Sequence, residues 1–331
     1  MSLEVNHLNY QDVRIVFLGT PQIAAEGLTH LLDRGFKVVG VVSQPDACQG
    51  RGRTLVPSPV SQVALARNIP LHRPIKLNRD FSFVENLHPD LLLTYAFGQI
   101  LSSKVLALSK SYAPLNIHAS DLPDLRGASP MQTALLRGDT HTAVCLMEMV
   151  KAMDAGRVFA RVGIDIAPSM NFTALAAAVS HAADQLIDQY LPQYLAGTLK
   201  GEPQDETKVT ICHMFSKSDE YLDPALTPAQ FVNRVRAFSL KPGAFFVLED
   251  GTQIKVYQAQ VSNLAGEEGR IICADHGRLT VAVKGGSVDL LNVQKQGKKA
   301  MSIKDFLNGN RHLQNLRVKA VAEVFPPEED R

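Results

Sequence analysis

Several features that would identify common classes of protein are missing from this chain. Its 331 residues include no Trp, and its four Cys form no CxxC pair. The spacing of the Cys residues excludes a zinc ribbon and a disulfide framework, and it favours a reducing, cytoplasmic compartment. No stretch approaches the roughly 18 apolar residues of a membrane span, so we expect none. Residues 1–12 lack the basic start and apolar core of a signal peptide, and we interpret them as a flexible leader.

The motifs of nucleotide, hydrolase and metal sites are absent as well. The first apolar run ends in FLGTP, with one glycine where nucleotide-binding loops have several, so Gly19 is better explained as a strand-to-helix turn. No GxSxG elbow occurs, and the ten His form no HExxH pair. These absences disfavour a nucleotide-dependent oxidoreductase and a serine hydrolase, and we expect no catalytic metal.

Buried strands and helices alternate through the first part of the chain. Short, mostly apolar runs predict strands at 13–18, 37–43, 89–94, 113–118, 142–149 and 157–166. Helical patterns lie between several of them, and a long amphipathic helix is predicted over 172–191. This alternation is typical of an α/β fold with a Rossmann-like, doubly wound parallel sheet. Thr20 is expected to cap the first helix.

The composition changes after residue 195. A polar segment with Gly and Pro, 196–209, is predicted to be a linker. Downstream, five short apolar runs separated by Asp-Gly, His-Gly and Gly-Gly turns indicate a small OB-like β-barrel, preceded by a helix at 228–238. We therefore predict an α/β domain over 13–195 and a second domain over 210–331.

Charge is nearly balanced over the whole chain but not within it. The net charge of +1 argues against a chain that coats nucleic acid. Residues 208–320, however, hold 16 Lys and Arg against 10 Asp and Glu, whereas the residues before them hold 17 against 19. A small barrel with a basic face suits nucleic-acid binding. Lys298 and Lys299 form a cluster there, and a Gly-rich loop carries Arg51 and Arg53, although a solvated loop is the commoner explanation of that segment.

Asn116 and His118 are the first candidates for chemistry. They lie two residues apart on a predicted strand, so their side chains leave the same face. They are also near its C-terminal end, where open α/β sheets place ligands. An amide donor stabilises an oxyanion and an imidazole moves protons, as acyl transfer to an amine requires. Asp154, between two predicted strands, could orient His118. A hydrogen-bonded Asn, a half-buried His and a turn Asp are the structural alternatives.

The segments around these residues resemble one known family. RIVFLGTP, QPDACQGRGRTLVPSPV, LNIHASDLPDLRGASP, MDAGRV, VTICHMFSKSDEYLD and QKQGKKAMS occur in this order and at family-like spacing. They are similar to segments of the methionyl-tRNA formyltransferases of bacteria and organelles. The resemblance runs from about residue 14 to about residue 307, which is nearly the whole chain.

The resemblance implies transfer of a formyl group from 10-formyltetrahydrofolate to the α-amine of methionine on initiator tRNA. The positions that match the family's catalytic residues are Asn116, His118 and Asp154. The folate is expected to contact the loop formed by Ser120, Asp121, Leu122 and Pro123. The tRNA is expected to contact Arg51, Arg53, Lys298 and Lys299. Nothing in the sequence suggests more than a monomer.

This chain departs from the family pattern at several positions. The family's Ser-Leu-Leu-Pro loop carries a charge here, Asp121. In QPDACQGRGRTLVPSPV, which resembles a mobile loop of the family, one of the family's two lysines is Thr54. The alternatives are formyl transfer to a nucleotide-linked amino sugar or to glycinamide ribonucleotide, hydrolysis of formyltetrahydrofolate, and a nucleic-acid-binding module on an inactive scaffold. The basic segments favour tRNA, and the presence of all three candidate catalytic residues argues against an inactive scaffold.

Overall fold

The structure, a computed structural model, describes residues 10–49 and 54–326. These residues form two compact units. Unit 1 holds the described residues up to Pro130, together with His141–Asp165 and Ala176–Cys212. Unit 2 holds Met131–Thr140, Ile166–Leu175 and the described residues from His213 onward. The segment that we predict as a linker, 196–209, therefore falls within unit 1.

The strands of the first part of the chain closely follow the apolar runs. They are β1 (Ile15–Gly19), β2 (Val38–Val42), β3 (Ala47–Gln49), β4 (Thr54–Val56), β5 (Leu71–His72), β6 (Leu91–Tyr95), β7 (Leu115–His118), β8 (Arg126–Gly127), β9 (His141–Glu148), β10 (Val158–Asp165) and β11 (Ile211–Cys212). The helices are α1 (Gln22–Asp33), α2 (Pro59–Ala66), α3 (Ser82–Asn86), α4 (Ser103–Leu106), α5 (Pro130–Arg137), α6 (Phe172–Gln185) and α7 (Leu191–Leu195). A π-helical turn, Leu186–Tyr190, joins α6 to α7.

A seven-stranded sheet in the order β10-β9-β7-β6-β1-β2-β5 organises unit 1. Strands β5, β2, β1, β6 and β7 pair in parallel. Strand β9 runs antiparallel to both of its neighbours, so the sheet is mostly parallel, as predicted, with β9 as the exception. The short connection between β9 and β10 accounts for the antiparallel pairing of these two strands, because a parallel crossover needs a dozen or more residues.

The start of α1 also differs from the prediction. Its N-cap is Pro21, and the Thr20 hydroxyl donates to the Phe97 carbonyl at 2.9 Å, so the prediction that Thr20 caps the helix is wrong. Gly19 ends β1 in a tight contact, since a Cβ there would lie 2.9 Å from the Tyr95 carbonyl oxygen. Close packing of the backbone therefore accounts for this glycine.

Unit 2 contains an antiparallel sheet in the order β12-β13-β16-β15-β14, with β17 paired to β16. The elements are α8 (Pro228–Ala237), β12 (Phe245–Val247), β13 (Gln253–Ser262), β14 (Ile271–Asp275), β15 (Arg278–Val283), β16 (Gly286–Lys295), β17 (Met301–Ser302), α9 (Ile303–Leu307) and α10 (Val321–Val324). Helix α8 packs against β13 and β16. The predicted fold class, an α/β domain followed by a smaller antiparallel β domain, is confirmed. Across the residues that the structure describes, no helix has the length and apolar character to cross a membrane.

Candidate active site

Strand β7 places Asn116 and His118 on one face of the sheet of unit 1. His118 is 5% exposed, whereas Asn116 is half-buried. Within the described part of the chain, the Asn116 side chain makes no hydrogen bond, so its amide is open to a ligand. Its register partner on β6 is Thr94, whose buried hydroxyl also has no hydrogen-bond partner there. Two polar side chains with unused hydrogen-bonding capacity therefore leave the sheet side by side.

The His118 ring lies between two oxygen acceptors. Its Nε2 is 3.0 Å from the Leu125 carbonyl oxygen, and its Nδ1 is 3.7 Å from Asp154 Oδ2. The first contact is a hydrogen bond, and the second is a longer charge contact. The Leu125 carbonyl can only accept, so His118 Nε2 donates to it. This contact fixes the ring and leaves Nδ1, which faces Asp154, as the nitrogen available to a ligand.

Asp154 lies in the turn between β9 and β10. Its backbone is in the left-handed region, at a φ of 49°, and its Oδ2 accepts a hydrogen bond from the Gly127 amide at 2.9 Å. Its side chain is 18% exposed, so the carboxylate keeps contact with solvent while it faces His118. The structure thus brings together His118 at the end of β7 and Asp154 in the turn after β9, with Asn116 two residues from His118.

The loop after β7 is held by a segment that sequence reasoning did not connect with the site. The Leu125 carbonyl accepts further bonds from the Ser120 hydroxyl at 3.3 Å and the Cys212 thiol at 3.6 Å. The Leu125 amide donates to the Thr210 hydroxyl at 2.9 Å. Strand β11 pairs in parallel with β8, so residues 210–212 support the carbonyl that orients His118. No local signal in the sequence predicts this two-residue pairing.

The four residues expected to contact folate differ in their exposure. Ser120 and Leu122 are buried, whereas Asp121 and Pro123 reach solvent. Arg161 on β10 donates from Nη2 to the Leu122 carbonyl at 2.9 Å, and its Nε pairs with Asp121 Oδ1 at 3.3 Å. The charge that departs from the family pattern therefore has a counter-charge, and Arg161 is a second residue that sequence reasoning missed.

A buried thiol lies behind the same loop. Cys145 on β9 donates from Sγ to the Ser120 carbonyl at 3.1 Å. Burial raises the pKa of Cys145 to about 11, so the thiol stays protonated at neutral pH and keeps its donor. The backbone of the loop is thus held by two side chains from paired positions of β9 and β10, Cys145 and Arg161.

The residues expected to contact tRNA are only partly covered by the structure. Lys298 and Lys299 are exposed in the turn that follows β16. Arg51 and Arg53 lie outside the described residues, between the antiparallel strands β3 and β4. In the described ranges, no group of three or more His, Cys, Asp or Glu is arranged to hold a metal ion.

Two family models match the chain, one for each half. The formyl transferase model matches residues 13–191, and the model of the formyl transferase C-terminal domain matches residues 215–311. Among solved structures, HypX from Aquifex aeolicus in complex with tetrahydrofolic acid matches with a TM-score of 0.60 at 18% identity, over 95% of this chain and 47% of HypX. An N-formyltransferase from Helicobacter canadensis with folinic acid and dTDP-3-aminofucose matches with a TM-score of 0.62 at 15% identity, over 86% of this chain and 99% of that one. These two similarities support the fold alone.

Curated relatives are considerably more similar. The methionyl-tRNA formyltransferase of Lactobacillus delbrueckii subsp. bulgaricus is 38% identical over 300 residues, which cover 89% of this chain and 94% of the relative. That of Geobacter metallireducens is 36% identical over 90% of this chain and 96% of its own length. This similarity spans both domains at nearly full length. The chain therefore belongs to the methionyl-tRNA formyltransferase family.

Proposed function

We propose that this chain transfers the formyl group of 10-formyltetrahydrofolate to the α-amine of methionine carried by initiator tRNA. The observation that carries the proposal is the contact of His118 with Asp154 beside Asn116, in a chain whose family performs this reaction. The three side chains supply a hydrogen-bond donor, a mobile proton and a carboxylate. Transfer of an acyl group to an amine needs all three.

The reaction proceeds through a tetrahedral intermediate. The methionyl nitrogen attacks the formyl carbon, a C–N bond forms, and the carbonyl electron pair moves to oxygen. Asn116 Nδ2 and His118 Nδ1 donate to this oxyanion, and Asp154 stabilises the imidazolium and accepts the proton of the amine. Collapse of the intermediate breaks the bond between the formyl carbon and N10 of the folate, and N10 takes up the proton that Asp154 received from the amine.

The rest of the predicted site follows from this proposal. The folate lies along residues 120–123, with Asp121 and Pro123 on the accessible side and the backbone held by Cys145 and Arg161. The tRNA contacts Lys298 and Lys299 and the loop with Arg51 and Arg53. We expect the protein to work as a monomer in the cytoplasm, without a metal.

Substitution of the imidazole tests the assignment of the catalytic residues. His118→Ala should lower kcat with methionyl-tRNA by about 100-fold to 10,000-fold, because general acid–base catalysis contributes that much. Its affinity for the tRNA should stay nearly unchanged. His276→Ala is the control, since that side chain is 93% exposed and lies in unit 2. Full turnover by His118→Ala would disprove the assignment.

The identity of the acceptor needs a separate comparison. The protein is incubated with 10-formyltetrahydrofolate and, in turn, methionyl-tRNA, a nucleotide-linked amino sugar, glycinamide ribonucleotide or water alone. Mass spectrometry then identifies the formylated product or free formate. We expect product on methionyl-tRNA, and product on the sugar amine without product on the tRNA would overturn the proposal.

A further inference from the structure

A glutamine from the segment predicted as a linker contacts the turn that carries Asp154. Gln204 Nε2 donates to the Asp154 carbonyl at 2.7 Å and to the Gly156 carbonyl at 2.8 Å. Its Oε1 accepts from Arg126 Nε at 3.0 Å. Two partners accept and one donates, so only one orientation of the amide satisfies all three bonds. Gln204 therefore joins the turn to β8.

Other hydrogen bonds that reach the turn are donated by the Gly127 amide to Asp154 Oδ2 at 2.9 Å and by the Ala155 amide to the Ala152 carbonyl at 3.4 Å. Asp154 adopts a left-handed backbone, which is unfavourable for a residue with a Cβ. Met153 beside it is 49% exposed, so little apolar burial fixes this stretch. Gly156 touches β9, since a Cβ there would lie 2.0 Å from the Glu148 carbonyl oxygen. The bonds from Gln204 thus span the residues whose geometry sets the direction of the Asp154 carboxylate.

An ion pair keeps Gln204 in place. The Arg126 side chain is 7% exposed, and its Nη2 and Nη1 donate to the two carboxylate oxygens of Glu206 at 2.8 and 3.3 Å. The hydrogen bond from Arg126 lowers the pKa of Glu206, so the pair stays charged at neutral pH. One guanidinium therefore anchors both Gln204 and Glu206, which follow each other closely in the chain.

We propose that Gln204 is a positioning residue that sets the Asp154 carboxylate against His118 through the backbone of residues 154–156. The inference rests on the proposed function, because it takes Asp154 and His118 to act as a pair. Gln204 acts through the peptide carbonyls of the turn. Its removal should therefore change the chemical step more than the binding of either substrate.

Two variants test the proposal. Gln204→Ala removes all three bonds, and Gln204→Glu keeps the size but turns a carboxylate oxygen toward two carbonyls. Each should lower kcat by about tenfold to 100-fold, because small displacements of catalytic groups have effects of this size. The KM values for both substrates should stay within about twofold of those of the wild-type protein. Gln193→Ala is the matched control, because Gln193 also donates to a backbone carbonyl, that of Gln189 at 2.6 Å, and is exposed on a helix.

A spectroscopic readout separates positioning from general stability. The ring resonances of His118, assigned by their disappearance in His118→Asn, are compared in the substrate-free variants at fixed pH. In both Gln204 variants they should move toward their positions in Asp154→Asn, and in Gln193→Ala they should stay. Unchanged resonances or an unchanged kcat would overturn the proposal. Since the spectra need no substrate, they decide the role of Gln204 even if wild-type protein fails to formylate methionyl-tRNA.

If Gln204→Ala does not fold, a variant of Arg126 tests the same contacts. Arg126→Lys keeps the positive charge, but a lysine cannot bond to Gln204 and form the bidentate ion pair with Glu206 at the same time. It should shift the His118 resonances and lower kcat in the same direction as the Gln204 variants, to a smaller extent. A folded Arg126→Lys protein with wild-type spectra and kcat would contradict the proposed chain of contacts.

Discussion

At the scale of single residues, backbone strain is found next to the proposed catalytic imidazole. The two oxygen atoms that face His118 belong to Leu125 and Asp154, and both residues have positive φ, of 57° and 49°. Each such residue costs roughly 1–2 kcal/mol, so the surrounding contacts must enforce it. Those contacts come from Thr210 and Gln204, on the same stretch of chain. The residues that flank Leu125 and Asp154 in the sequence do not indicate that Thr210 and Gln204 contact them.

Arg161 carries the first prediction at this scale. It holds the loop 120–123 through the Leu122 carbonyl and the Asp121 carboxylate. Arg161→Ala should raise the KM for 10-formyltetrahydrofolate about tenfold, the equivalent of one hydrogen bond to a charged group, because the loop loses its fixed shape. The KM for methionyl-tRNA should stay within about twofold. Steady-state kinetics with each substrate varied in turn measure both values.

Two further variants separate the role of Arg161 from that of Asp121. Asp121→Asn keeps an oxygen acceptor for Arg161, so it should raise the same KM less than Arg161→Ala does. Arg79→Ala removes an exposed arginine elsewhere in unit 1 and should change neither KM. A larger effect of Asp121→Asn than of Arg161→Ala would instead indicate that the Asp121 carboxylate contacts the folate directly.

At the scale of elements, apolar runs predict the central strands of unit 1, because β1 and β6 are buried along their whole length. The short strands β8 and β11 could not be predicted, since a run of two residues carries no periodicity. Their partners are also about 85 residues apart. The same limit applies to the segment 196–209, whose Gly, Pro and charges indicate a loop but say nothing about what that loop contacts. The sequence therefore predicts the site residues on β7, but it does not predict the residues that contact and orient them.

Helix α8 allows a prediction about stability. Thr227 accepts from the Gln230 amide at 3.4 Å, and the Gln230 side chain accepts from the Thr227 amide at 3.0 Å, which forms a capping box. Thr227→Ala should lower the free energy of unfolding by about 1 kcal/mol, the usual effect of removing such a cap. Urea unfolding followed by circular dichroism measures this. Thr227→Ser keeps the acceptor and should be destabilised much less, and an equal effect in both variants would contradict the role of the cap.

At the scale of the whole molecule, the net charge of +1 is the sum of unlike parts. The residues before Lys208 carry 17 Lys and Arg against 19 Asp and Glu, and residues 208–320 carry 16 against 10. The last eleven residues add 4 acidic side chains and 1 basic one, which hides part of the excess. A balanced total is therefore compatible with a polyanionic substrate, provided that the contacts lie on the basic part of the chain.

This distribution predicts a selective response to salt. Binding to phosphates releases counterions, so the KM for methionyl-tRNA should rise steeply with salt, and the KM for 10-formyltetrahydrofolate should rise only slightly. The slope of log KM for the tRNA against log salt should be smaller by about 1 to 2 in the double variant Lys298→Ala, Lys299→Ala. Each lysine that no longer neutralises a phosphate should lower this slope by about 1. The double variant Lys104→Ala, Lys110→Ala removes the same charge from exposed positions of unit 1. Equal slopes in the two double variants would mean that total charge, rather than this cluster, attracts the tRNA.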